Sequence, residues 1–266
     1  MLLTVDIGNT ITVIGIFEGR RLIHSWRIST DNGRQADEYG ALISFFFELE
    51  GIDMDSVDGV IISSVVPAVL PNMVDMSIRY LKEEPVVVTA QLNLGLRFMV
   101  KNPSEVGADR IVNAIGAFEE HGGPCVVVDF GTATTFDVIS SAGEYLGGAI
   151  APGIGISMEA LFSRAAKLPK VELKKPPSPI GDDTITSIQS GFFYGFLGQT
   201  EEIVRQISDE MVRRGEPRPK VIATGGLARL IASSSALIEI VDPDLTLKGL
   251  RVAYERIMRH NHDPSL

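Results

Sequence analysis

Apolar positions recur along this chain in two alternating rhythms. Residues 2–5, 12–17 and 22–28 are short apolar runs separated by turn residues, Glu18-Gly19-Arg20 being the clearest turn, and they read as strands. From Asp37 the period lengthens, and Tyr39, Leu42, Ile43, Phe46 and Leu49 fall on one face of a helix over 37–50. A buried strand is expected at 58–63, then a helix opened by Val66-Pro67 with proline in its first turn, then a strand at 86–88. Ser104 is placed to cap a helix whose apolar face is Val106, Ile111, Ile115 and Phe118.

His121-Gly122-Gly123-Pro124 breaks the pattern, and the strand series restarts directly after it. Strands are expected at 125–129, 134–139 and 144–150, followed by a helix over 154–166 and a proline-rich loop over 169–179. A long helix covers 184–214, a strand 220–224 ends in Gly225-Gly226, and a last helix runs through 244–260. Alternating strands and helices define an α/β protein, and the restart divides it into two related domains, 1–121 and 122–266.

Both halves open with the same phrase. Asp6-Ile7-Gly8-Asn9-Thr10 and Asp129-Phe130-Gly131-Thr132 each follow a strand and precede another. Glycine lets a turn approach a ligand closely, the following N–H and hydroxyl groups suit phosphate oxygens, and an aspartate at a strand end suits Mg²⁺. One copy alone is equally well an ordinary hairpin turn, since Asp, Gly and Asn are all turn residues. Two copies at matching places favour a phosphate clamp. Other nucleotide motifs are missing: the chain has no Gly-Lys dipeptide for a P-loop, and Met158 stands where a dinucleotide fingerprint starting at Gly153 needs its third glycine. Thr224-Gly225-Gly226 offers backbone to an adenosine, although a turn leading into a helix explains it as well.

Gly107-Ala108-Asp109-Arg110 lies early in the helix expected from Ser104. An anion is favoured there by the helix dipole, and the neighbouring arginine can grip a carboxylate or phosphate, which makes a base-plus-clamp pair. The plain alternative is a solvated surface pair.

Composition narrows the classes. At 266 residues, 45% apolar and 22% charged, the chain has the means to build a large core. A net charge of −10 argues against electrostatic capture by nucleic acid or an anionic membrane. Cys125 is the only cysteine, so a reducing compartment fits. With no signal-peptide pattern and no apolar run long enough for a membrane helix, a cytoplasmic protein is expected.

Paired D-x-G phosphate loops resemble those of the actin-like ATPase and sugar-kinase superfamily, with two ribonuclease H-like domains and a nucleotide cleft between them. Within it the chain is similar to the type III pantothenate kinases, through DIGNT at 6–10, SSVVP at 63–67, NPSEVGADR at 102–110, DFGTATT at 129–135, GGAIAPG at 147–153 and TGG at 224–226. The resemblance implies ATP-dependent phosphorylation of pantothenate to 4′-phosphopantothenate, the first step of coenzyme A biosynthesis. It implies that Asp6, Ile7, Gly8, Asn9, Thr10, Ile11, Thr12 and Val13 wrap the ATP phosphates, with Thr132 assisting and Mg²⁺ bridging the phosphates. Asp129 would hold a monovalent cation, potassium or ammonium. Gly107, Ala108, Asp109 and Arg110 would bind pantothenate, Asp109 accepting its proton, and Thr184 would add a contact in a homodimer. Val100 stands where the family usually has an aromatic residue against the substrate, and Asp182-Asp183 stand where basic or amide residues are frequent. The alternatives are a kinase for another small hydroxylated substrate and a non-catalytic accessory transcriptional regulator, against which Asp6, Asp109 and Asp129 count.

Overall fold

The computed structural model describes residues 1–165 and 167–262. By contact the chain forms two compact units: Met1–Leu96, Lys101–Glu119 and the residues from Asp244 make the first, and Arg97–Val100 with Glu120–Pro243 make the second.

In the first unit β1 (Leu2–Ile7), β2 (Ile11–Glu18) and β3 (Arg21–Ser29) form an antiparallel meander. After α1 (Ala36–Glu50), β4 (Gly59–Ser64) adds parallel to β1 on its other side. α2 (Leu70–Met76) leads to the short β5 (Val86–Val87), which completes the order β3-β2-β1-β4-β5. Leu3, Val5 and Ile7 point to one face and bury against Tyr39, Ile43 and Phe47 of α1. That is the strand's period of two meeting the helical period of α1. Gln35 and Glu38 close a capping box at the start of α1, and Gly51, at φ 67°, ends it. α3 (Ala108–His121) closes this stretch of chain.

The second unit repeats the design. β6 (Cys125–Phe130), β7 (Ala133–Ile139) and β8 (Tyr145–Pro152) form the meander, and α4 (Ile154–Arg164) and α5 (Thr184–Arg213) follow. β9 (Lys220–Thr224) pairs parallel with β6, α6 (Ala228–Ala232) follows, and β10 (Ile240–Val241) is the edge, giving the order β10-β9-β6-β7-β8. Read from the meander outward, the two sheets have the same order and the same strand directions. α7 (Leu245–His262) then returns to the first unit and packs on β1, β2 and β4.

Four expectations differ from this structure. The division at 121/122 gives the last helix to the second half, whereas α7 lies in the first unit, because its buried Leu247 and Leu250 cover the sheet face that α1 leaves open. Ser104 caps nothing: Pro103–Glu105 is a single 3-10 turn, Val106 returns to extended backbone, and α3 starts at Ala108. Val66-Pro67 belongs to a turn in which Val66 O accepts the N–H groups of Val69 and Leu70, so α2 begins later. The helix expected over 154–166 ends at Arg164, with Ala165 already in extended backbone, and residue 166 lies outside the described residues.

Candidate active site

Asp6 is the second-last residue of β1, flanked by Val13 on β2 and Ser63 on β4. Ser63 donates its hydroxyl to Asp6 Oδ1 at 2.5 Å. The carboxyl is half-buried, and its pKa is pushed up to about 7: burial raises it most, the Ser63 hydroxyl lowers it, and the negative charge of Asp109 raises it further. Beyond Asp6 the chain turns tightly, with Gly8 N–H donating to Ile11 O at 3.1 Å. Asn9, Thr10 and Ile11 are exposed at the turn. Thr30 braces it from β3's end, donating its hydroxyl to Gly8 O at 2.7 Å, meeting Thr12 Oγ1 at 2.9 Å, and donating its N–H to Thr10 O at 3.0 Å. The loop is therefore a fixed frame whose exposed edge faces outward.

Asp109 is the second residue of α3, and its Oδ1 accepts the N–H of Arg110 at 2.8 Å. A Cβ on Gly107 would lie 2.5 Å from that same oxygen, so the carboxylate folds back over the helix start only because residue 107 has no side chain. Burial holds the Asp109 pKa above the usual carboxylate value, while the Arg110 N–H and the Arg110 charge pull it back. The first unit thus brings the Asp6 loop and the 107–110 segment together, with two carboxylates close enough to feel one another.

In the second unit Asp129 occupies on β6 the place that Asp6 occupies on β1, flanked by Thr135 on β7 and Thr224 on β9. A hydroxyl residue therefore stands on the parallel neighbour of each aspartate, Ser63 in one unit and Thr224 in the other. Gly131 N–H donates to Ala133 O at 3.0 Å, a turn one residue tighter than that of Gly8. Thr132 is exposed, and its carbonyl accepts the N–H of Gly153 at 3.1 Å. Gly225, at φ 88°, leads into α6, and a Cβ there would lie 2.5 Å from Asp129 Oδ1.

Val100 and Thr184 lie on other elements of this second unit. Val100 ends a stretch bound to the edge of β8, its Cγ1 3.3 Å from where Gly147 would carry a Cβ. Thr184 opens α5 at the rim of a depression of about 490 Å³ lined by Asp182, Asp183 and Ser187. Asp183 serves the fold itself. It is the N-cap of α5, accepting Thr186 N–H at 2.7 Å, and the Thr186 N–H and hydroxyl lower its pKa.

Mg²⁺ in kinases is held by one or two carboxylates together with substrate phosphates. Among the described residues no group of three His, Cys, Asp or Glu forms a cage, and the single desolvated Asp6 carboxylate fits that arrangement. The residues that pattern reading missed are Ser63 and Thr30. Ser63 lies in the SSVVP stretch, where only its parallel pairing with Asp6 reveals its use.

A family model for type III pantothenate kinase matches residues 2–206. A type III pantothenate kinase of Brevibacillus brevis is 50% identical over 256 residues, covering 96% of this chain and 99% of that protein. Among solved structures, a Campylobacter jejuni protein described as a conserved Baf family transcriptional activator has a TM-score of 0.57 at 20% identity, covering 99% of this chain and 100% of that one. The ADPNP-bound activator of 2-hydroxyisocaproyl-CoA dehydratase from Clostridium difficile has a TM-score of 0.52 at 13% identity, covering 98% and 97%. These two likenesses concern the fold alone.

Proposed function

This chain belongs to the type III pantothenate kinase family and phosphorylates pantothenate at the expense of ATP, and we propose that Asp109 is the proton acceptor. The observation that carries the assignment is the pair of carboxylates in the first unit, whose surroundings suit them to different roles. Asp6, held by Ser63, faces the glycine turn where phosphates bind. Asp109, held by the Arg110 N–H at a helix start, belongs to the 107–110 segment read as binding the substrate.

In this reading the exposed turn at Asn9, Thr10 and Ile11 presents its N–H groups and hydroxyl to the triphosphate, while Thr132 contributes from the second unit. Phosphoryl transfer depends on alignment and charge neutralisation more than on a strong base. Asp109 orients the primary hydroxyl of pantothenate and takes its proton as the new P–O bond forms, and burial improves it as an acceptor. Arg110 holds the pantothenate carboxylate, with Val100 and Thr184 as further contacts. Mg²⁺ at Asp6 and a monovalent cation, potassium or ammonium, at Asp129 supply positive charge when bound. For the second ion the support is the donor chemistry: a half-buried carboxylate beside the Gly131 and Gly225 turns. A homodimer in a reducing, cytoplasmic compartment completes the reading, consistent with the lone buried Cys125.

Release of ADP, measured with and without pantothenate in potassium and then in sodium, tests it. Pantothenate-dependent release that is faster in potassium is expected. No such release in potassium overturns the proposal.

A further inference from the structure

We infer that Tyr145 and Asp137 act as a pair of positioning residues that fix the segment presenting Val100, and so set the affinity for pantothenate. The inference rests on the reading above, that Val100 contacts this substrate. Residues 97–100 belong to the second unit although the chain on either side of them does not. What fastens them is Tyr145, the first residue of β8. Its N–H donates to Arg97 O and its carbonyl accepts the N–H of Met99, both at 2.8 Å. The Phe98 ring lies edge-on to the Tyr145 ring at 5.8 Å. Val100 follows immediately and settles over Gly147.

Tyr145 is in turn held from inside the sheet. Its ring is buried, and its hydroxyl donates to Asp137 Oδ1 at 2.7 Å. Asp137 is itself fully buried on β7, and its Oδ2 accepts the hydroxyl of Thr135 at 3.2 Å. Thr135 is the β7 partner of Asp129. A register shift between Val138 and Ile139 re-aims the strand between Asp137 and the residue opposite Tyr145. Side chains thus connect the β7 neighbour of the second loop's aspartate to the segment that carries Val100.

A buried carboxylate is costly unless donors meet it, and an apolar pair would fill the same space without that cost. What the pair adds is direction. The bond at the far end of the phenol fixes the ring against which Phe98 lies, while the backbone bonds of Tyr145 hold Arg97 and Met99, and together they give residues 97–100 one position.

The test compares Tyr145→Phe, Asp137→Asn and Val100→Ala, each assayed well below its melting temperature. Tyr145→Phe is expected to raise the KM for pantothenate about fivefold, the loss of roughly one ordinary hydrogen bond, with kcat and the KM for ATP nearly unchanged. Amide hydrogen exchange across 97–101 should quicken in the same variant. Asp137→Asn keeps the acceptor for Tyr145 and should stay close to the parent in both measurements. Unchanged exchange in Tyr145→Phe overturns the proposal, as does a parallel change in both KM values, which marks a merely structural role. If Val100→Ala raises the KM for pantothenate and Tyr145→Phe does not, the pair has no positioning role while Val100 keeps its own. If Val100→Ala leaves that KM unchanged, the reading of Val100 has failed and the inference falls with it.

Discussion

Ser63 donates its hydroxyl to Oδ1 of Asp6 at 2.5 Å, from the position directly beside it in the parallel β1–β4 pairing. One hydroxyl does not offset the burial of the carboxyl, whose pKa stands at about 7 in the folded protein. The folded state therefore holds a proton on Asp6 that the unfolded chain gives up near pH 4.

The first prediction follows from that sign. Between about pH 4 and pH 7 release of the Asp6 proton increasingly favours the unfolded chain over the folded, nucleotide-free protein, and above pH 7 the penalty is complete. Asp6→Asn removes it, so the variant should be more stable than the parent by about 1–2 kcal/mol at pH 8, with the advantage gone near pH 4. Urea denaturation at the two pH values measures this. The same variant should lose nearly all kinase activity, separating what the carboxylate does for function from what it does for stability.

A second prediction concerns the proton acceptor. Asp109→Asn keeps the bond from the Arg110 N–H but removes the base, so kcat should fall by roughly 10²–10⁴ with little change in melting temperature. Gly107→Ala drives a methyl group against Asp109 Oδ1 and should lower kcat at least about tenfold by displacing the carboxylate. Steady-state kinetics on both variants would show whether placement matters as well as charge.

Gly225→Ala tests the second loop. Its φ of 88° and the clash with Asp129 Oδ1 predict a loss of about 1–3 kcal/mol, read by denaturation. The potassium concentration for half-maximal rate should rise in this variant, and Asp129→Asn should abolish the difference between potassium and sodium. An unaltered potassium response in both would place the cation elsewhere.

Asp183→Ala should lower the melting temperature by about 2–4 °C through loss of the α5 cap. Because capping lowers its pKa, Asp183 stabilises the fold at neutral pH, and that contribution disappears only as pH falls below the usual carboxylate range. Parent and variant should therefore converge in thermal melts at strongly acid pH.

The longer elements of both sheets were legible because burial on a strand or helix leaves a period of two or of 3.6, and turn residues mark the ends. β10 spans two residues, too short to carry a period, and no local pattern announced it, while the five residues of α6 were signalled only by the Gly225-Gly226 turn before them. Asp109 was legible as a residue but not in its placement. Its setting depends on α3 starting at Ala108, where Pro103–Glu105 had already spent the capping signal on a 3-10 turn. Ser63 is 57 residues from Asp6, and only strand register joins them. Gly225 read correctly as a turn leading into a helix, while its contact with Asp129 comes from the β6–β9 pairing that seats Thr224 beside that aspartate.

α7 gives the molecule an order of assembly opposed to its order of synthesis. Nearly all of the second unit is continuous from Glu120 to Pro243, so its sheet has almost every residue it needs once that stretch has left the ribosome. The first unit begins at Met1 but waits for Leu247 and Leu250 to cover its open face. Translation usually completes N-terminal domains first. Here the half begun first is the half finished last, and until then its exposed sheet is a surface for chaperones to guard.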